Sequence, residues 1–105
     1  MNVMRTLPAL LALAAGLAVP AVAATPKLKG AALVRDARVP LAAARRTALK
    51  ARPGTVTEQE LEKEPGGSGL RYSFVIASRG KPYEVGVDAK TGAVLENVAE
   101  GKNPD

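Results

Sequence analysis

The sequence predicts a small α+β domain: one main helix packed on a three- to four-stranded antiparallel β-meander, with a short helix before it. Three observations predict this class. Apolar residues recur at helical spacing from Leu41 to Arg52. After Pro53-Gly54 the period of the pattern falls from about 3.6 residues to 2. The alternating segments that follow are joined by short glycine-containing turns, which make neighbouring strands antiparallel. A chain of 105 residues holds one such domain and not two.

The N-terminus is expected to be a Sec-type signal peptide over residues 1–23. Arg5 supplies a basic start, Leu7 to Val19 an apolar run of 13 residues, Pro20 a break, and Ala21-Val22-Ala23 the small residues before a cut between Ala23 and Ala24. The run is too short to span a bilayer. The expected destination is therefore the periplasm or the exterior, with no stable membrane insertion once the leader is removed. Removing residues 1–23, which hold one of the 15 basic residues and none of the 10 acidic ones, leaves 82 residues with a net charge of +4. Such a charge favours anionic partners without selecting one, and export argues against nucleic acid.

Residues 24–30, with Pro26, Lys27, Lys29 and Gly30, read as a flexible lead-in, and the domain as residues 31–97. Ala32, Leu33 and Ala37 can share a face of a short first helix, which Val39-Pro40 ends. In the main helix, Leu41, Ala44, Ala48 and Ala51 form the apolar stripe, and Pro40 suits a helix start. Pro53 forces Arg52 out of helical geometry, and Gly54 permits the reversal. The first strand, Thr55 to Glu62, puts Glu58, Glu60, Glu62 and Glu64 on one parity, facing solvent. Val56 is out of phase with the rest: either a bulge near Thr57 returns it to the core or it lies in the turn.

Pro65-Gly66-Gly67-Ser68-Gly69 is a loop. The next strand, Leu70 to Ser78, directs Tyr72, Phe74 and Ile76 toward the helix and Arg71, Ser73, Val75 and Ala77 away from it. Arg79-Gly80 makes a two-residue reversal, and Tyr83, Val85 and Val87 then alternate against Glu84, Gly86 and Asp88. In the turn after them, the Asp88 carboxylate can accept backbone N–H groups while Gly92 takes positive φ. Ala93 to Glu96 gives a last short strand, and the chain beyond it reads as a fraying tail, disordered over residues 98–105.

Composition narrows function by exclusion. The chain has no histidine and no cysteine, which removes the commonest general base, thiolate chemistry, disulfides and Cys-ligated zinc. Strand-alternate glutamates lie about 7 Å apart and diverge, so Glu58 to Glu64 read as a solvated face and not a calcium loop. Some 80 residues with one helix and one sheet scarcely build a cleft able to tune a carboxylate pair. No enzyme activity, metal or cofactor is expected. Arg45, Arg46, Lys50 and Arg52 on the helix are the candidate interaction face for a protein partner or an anionic surface.

One stretch is distinctive. Ala44, Ala48, Leu49 and Pro53-Gly54-Thr55-Val56 are followed by Leu61-Glu62, Tyr72-Ser73-Phe74, and Tyr83-Glu84-Val85-Gly86-Val87-Asp88-Ala89-Lys90-Thr91-Gly92-Ala93-Val94-Leu95. From Leu41 to Glu96 this resembles the PepSY domain, with Asp88, Thr91 and Gly92 as the motif turn. PepSY modules occur in propeptides of thermolysin-type metallopeptidases and as single secreted domains. The resemblance implies a non-enzymatic module that binds or restrains a peptidase, with an exported metallopeptidase as the partner class. Because these 105 residues carry no peptidase segment, restraint is expected in trans. The other expectation is a general envelope-interaction or ligand-sensing domain that uses the basic helix.

Overall fold

A computed structural model describes residues 25–101. The proposed leader and its cut at Ala23 and Ala24 lie outside the described residues, as do residues 102–105. Among the described residues, five strands, a 3-10 segment and one α-helix account for the architecture: β1 (Leu28–Lys29), the 3-10 segment (Ala31–Asp36), α1 (Leu41–Ala51), β2 (Thr55–Lys63), β3 (Leu70–Ser78), β4 (Lys81–Asp88) and β5 (Val94–Ala99). The sheet order is β1-β2-β3-β4-β5, with β1 parallel to β2 and every other pair antiparallel.

The elements form where the local chemistry places them. α1 runs through an alanine-rich segment and stops at Arg52, which Pro53 holds at φ −144° and ψ 91°. The Arg52 N–H still closes the helix on the Ala48 carbonyl at 2.8 Å. The register of β2 against β3 shifts between Val56 and Glu58, and this bulge lets Val56 pack on the core. β3 and β4 meet through Arg79 and Gly80, both at positive φ (54° and 80°), the geometry whose twist matches a two-residue hairpin.

α1 lies over β3, β4 and β5. Its underside presents Ala44 and Ala48, both wholly buried, and these small side chains let the helix settle against Leu61, Tyr72, Phe74, Ile76, Val85 and Val87. Tyr72 and Phe74 stack at 6.2 Å between ring centroids. Full burial of each large side chain contributes about 1.5–3 kcal/mol, so this single layer is the main source of stability. The Tyr72 hydroxyl donates to the Val39 carbonyl at 2.7 Å, and the N–H groups of Arg38 and Val39 both donate to Ala89 O at 2.9 Å. The chain entering α1 is thereby fastened to the turn that follows β4.

Three expectations need correction. The sheet is mixed and five-stranded, not an antiparallel meander of three or four strands, because the lead-in supplies β1. Half-buried Leu28 packs on the core, and the Gln59 carboxamide holds the Pro26 carbonyl at 2.7 Å. The element before α1 is 3-10 and not α-helical. It buries none of its residues fully, with Leu33 only half-buried against the core, and ends where Ala37 turns extended, too short a span to build a full α-helical turn of packing. Finally, β5 does not stop at Glu96: Asn97, Val98 and Ala99 continue the ladder opposite Val85, Glu84 and Tyr83.

Candidate interaction surfaces

The turn after β4 is built around one buried carboxylate. Asp88 Oδ1 accepts hydrogen bonds from the Lys90 N–H (2.8 Å), the Thr91 N–H (3.0 Å) and the Ser68 hydroxyl (2.8 Å), while Oδ2 accepts from the Ser68 N–H at 2.6 Å. Burial alone would raise its pKa, yet these donors outweigh burial and hold the carboxyl well below the usual range. Gly92 sits at φ 82° and its N–H returns to the Asp88 carbonyl at 2.9 Å, while the Thr91 hydroxyl accepts from the Ala93 N–H at 3.2 Å. Gly67 completes the seat from the other side, at φ 55°, where a Cβ would collide with Asp88 Oδ2. Every lone-pair direction of Asp88 that the fold reaches is thus occupied structurally.

The outer face of the sheet, away from α1, is acidic. Glu58, Glu60, Glu62, Glu84 and Glu100 line a shallow cavity of about 120 Å³ with Ser73 and Val75, and Lys29 at its rim pairs with Glu58 at 3.9 Å. Burial, then the charges of Glu96 and Glu100, raise the Glu84 pKa above its ordinary 4.5. Burial also raises Glu62, partly opposed by the hydrogen bond its Oε2 accepts from Ser73 Oγ at 2.8 Å. Arg71 is the buried cation of this face. Its guanidinium crosses Gly86 to donate to Glu96 Oε1 at 3.3 Å and to the Pro65 carbonyl at 3.1 Å. A Cβ on Gly86 would stand 3.2 Å from Arg71 Nη1 and 3.4 Å from its Cδ, so the glycine supplies the path.

The basic helix residues divide into two pairs. Arg45 donates to the Gln59 side chain at 3.2 Å, and Arg52 donates to Asn97 Oδ1 at 3.1 Å with its guanidinium 3.8 Å above the Tyr83 ring. These two fasten α1 to the sheet. Arg46 and Lys50 stand on the exposed side with Ala43, Thr47 and Leu49, and neither makes an ion pair among the described residues.

A family model described as "Peptidase propeptide and YPEB domain", PepSY, matches residues 38–97, more than half of the chain. The chain belongs to the PepSY family. No curated protein and no solved structure matches it. The PepSY match begins at Arg38, where the chain is fastened to Ala89, and ends at Asn97, where β5 meets Arg52. The β1 strand and the 3-10 segment lie upstream of the match.

Within this PepSY domain, sequence reasoning did not single out Gln59, Ser68, Arg71 or Asn97. Each joins elements distant in sequence: Gln59 the lead-in and α1, Ser68 the β2–β3 loop and the β4 turn, Arg71 three segments, Asn97 the helix end and β5. The one available signal was Gln59, a polar residue on the inward parity beside Leu61. Among the described residues, no group of three or more acidic side chains is arranged to hold a metal ion, and no helix is long and apolar enough to cross a membrane.

Proposed function

We propose that this PepSY domain is an exported, non-catalytic binding module that restrains a peptidase in trans. Family membership over residues 38–97 carries the reading, since the family takes its description from peptidase propeptides. The geometry is consistent with binding rather than chemistry. Asp88 is fully committed to its turn, and the glutamates are spread over an open face instead of converging in a closed cleft. Incubating the mature chain with a broad panel of exported metallopeptidases, and following cleavage of a generic protein substrate, tests the proposal. Dose-dependent slowing of at least one enzyme is expected. Unchanged proteolysis across the panel would overturn it.

A second reading is favoured by Arg46 and Lys50, which no carboxylate neutralises among the described residues: α1 could dock an anionic envelope component. The double variant Arg46→Glu, Lys50→Glu separates the two, because it reverses the charge of the helix patch while leaving the sheet edges untouched.

A further inference from the structure

The two edges of the sheet are treated differently by the fold. On one side β1 covers β2 at Gln59 and Glu60, and the bulge at Thr57 bends the remainder. On the other side β5 pairs only with β4, and no described residue covers its outer edge. Natural edges are usually blunted by lysine, proline or a bulge that turns them away. The six residues of β5, Val-Leu-Glu-Asn-Val-Ala, contain neither lysine nor proline, and the bulge at Leu95 leaves Glu96 to Ala99 in regular register. Val94 and Val98, two of the three exposed large apolar residues among the described residues, lie on this strand at 43% and 47% exposure.

The hydrogen-bond parity of that edge follows from the ladder. The Glu100 N–H donates to the Pro82 carbonyl and the Asp88 N–H to the Ala93 carbonyl, which makes Pro82–Glu100, Glu84–Val98 and Gly86–Glu96 the hydrogen-bonding pairs. The main-chain groups of Asn97 and Ala99 therefore point outward, free to receive another strand. On the outer face of the same segment stand Glu96, which accepts from Arg71, and Glu100, with Glu84 beside them, close enough that after burial their charges also raise the Glu84 pKa. A strand added to β5 would place every second side chain against these carboxylates.

We infer that the β5 edge is the docking site for an extended, cationic segment of a partner protein, one with lysine or arginine at alternate positions. The main chain would pair with Asn97 and Ala99, and the basic side chains would lie over Val98 between Glu96 and Glu100. This rests on the binding-module reading and names the chemistry of its partner. A second copy of the chain fits less well, since pairing β5 with β5 would join two acidic faces.

The test uses the isotopically labelled mature chain and a short capped peptide of alternating valine and lysine. Added peptide is expected to slow amide hydrogen exchange at Asn97 and Ala99 by about tenfold or more, and Glu100→Lys to weaken binding by about tenfold. N-methylation of alternate peptide amides removes the pairing donors and should abolish the effect without altering the protein. Ala99→Pro, which removes an outward N–H near the strand end, should do the same from the protein side. Unchanged exchange at the two amides, equal binding by the N-methylated peptide, or equal binding by a valine–glutamate peptide would each overturn the inference. So would slowed exchange that depends on protein concentration alone, which would mark self-pairing. A peptidase restrained equally by the Ala99→Pro chain would remove this edge while leaving the proposed function standing.

Discussion

Asp88 is the residue at which local turn chemistry and long-range packing meet. Two of its donors, Lys90 and Thr91, come from its own turn, and the Ser68 N–H and hydroxyl come from the loop twenty residues earlier. Replacement by asparagine keeps one acceptor oxygen but turns an NH2 toward another donor, whichever way the amide is set. Asp88→Asn should therefore cost about 2–3 kcal/mol, read as a lower urea midpoint at neutral pH. A loss under about 1 kcal/mol would mean that the loop does not depend on this carboxylate. Gly86 matters for the opposite reason, the absence of a side chain. An added methyl would press on the Arg71 side chain, which must give by a few tenths of an ångström within its buried site, so Gly86→Ala should cost about 1 kcal/mol by the same measurement.

At the scale of elements, α1 is held close by what it lacks. Ala44 and Ala48 have no exposed surface, so a larger residue at either position must push the helix off Phe74 and Val85 or enter a strained rotamer. Ala48→Leu should lower stability by about 1–3 kcal/mol although leucine ranks next to alanine in helix propensity, whereas Ala42→Leu, on the exposed side, should change it little. Urea midpoints of the two variants make the comparison. The same contrast explains what the sequence made legible. α1, β2, β3 and β4 each repeat a period long enough to read, while the Val56 mismatch fits a bulge or the turn equally, and only the register against β3 selects the bulge. β1 has two residues and no period. The reach of β5 past Glu96 depends on partners in β4, and the burial of Arg71 on the outward parity depends on Gly86 and the Pro65 loop. For the candidate surfaces, the D-x-x-T-G spacing implied the local bonds to Asp88 but not its tie to Ser68. The division of the helix basics into Arg45 and Arg52, which fasten, and Arg46 and Lys50, which do not, required knowing where Gln59 and Asn97 fall.

The molecule as a whole is layered in charge as well as in structure. Residues 31–52 carry six basic side chains and one acidic one, whereas Glu58, Glu60, Glu62, Glu84, Glu96 and Glu100 gather on the far side of the sheet. Arg71 pairs with Glu96 and Lys29 with Glu58, but carboxylates still outnumber cations on this face, and Glu62 and Glu84 titrate in opposition to Asp88. The Asp88 pKa is lowered on folding, so its contribution is fully present above its ordinary value of 3.8 and is lost as pH falls below that. The Glu62 and Glu84 values are raised above 4.5, first by burial and then by neighbouring carboxylates, so the fold favours their protonated forms and gains stability as pH falls toward 4.5. The two trends set a stability maximum in mildly acidic solution. Denaturant midpoints should be higher at about pH 5 than at about pH 7.5, and should fall again by about pH 3. Glu84→Gln should flatten the neutral limb and leave the acid limb in place, while Asp88→Asn should do the reverse. A profile that falls steadily from neutral pH downward would show that the burial and mutual repulsion of the sheet-face carboxylates have no hold on the stability of the fold.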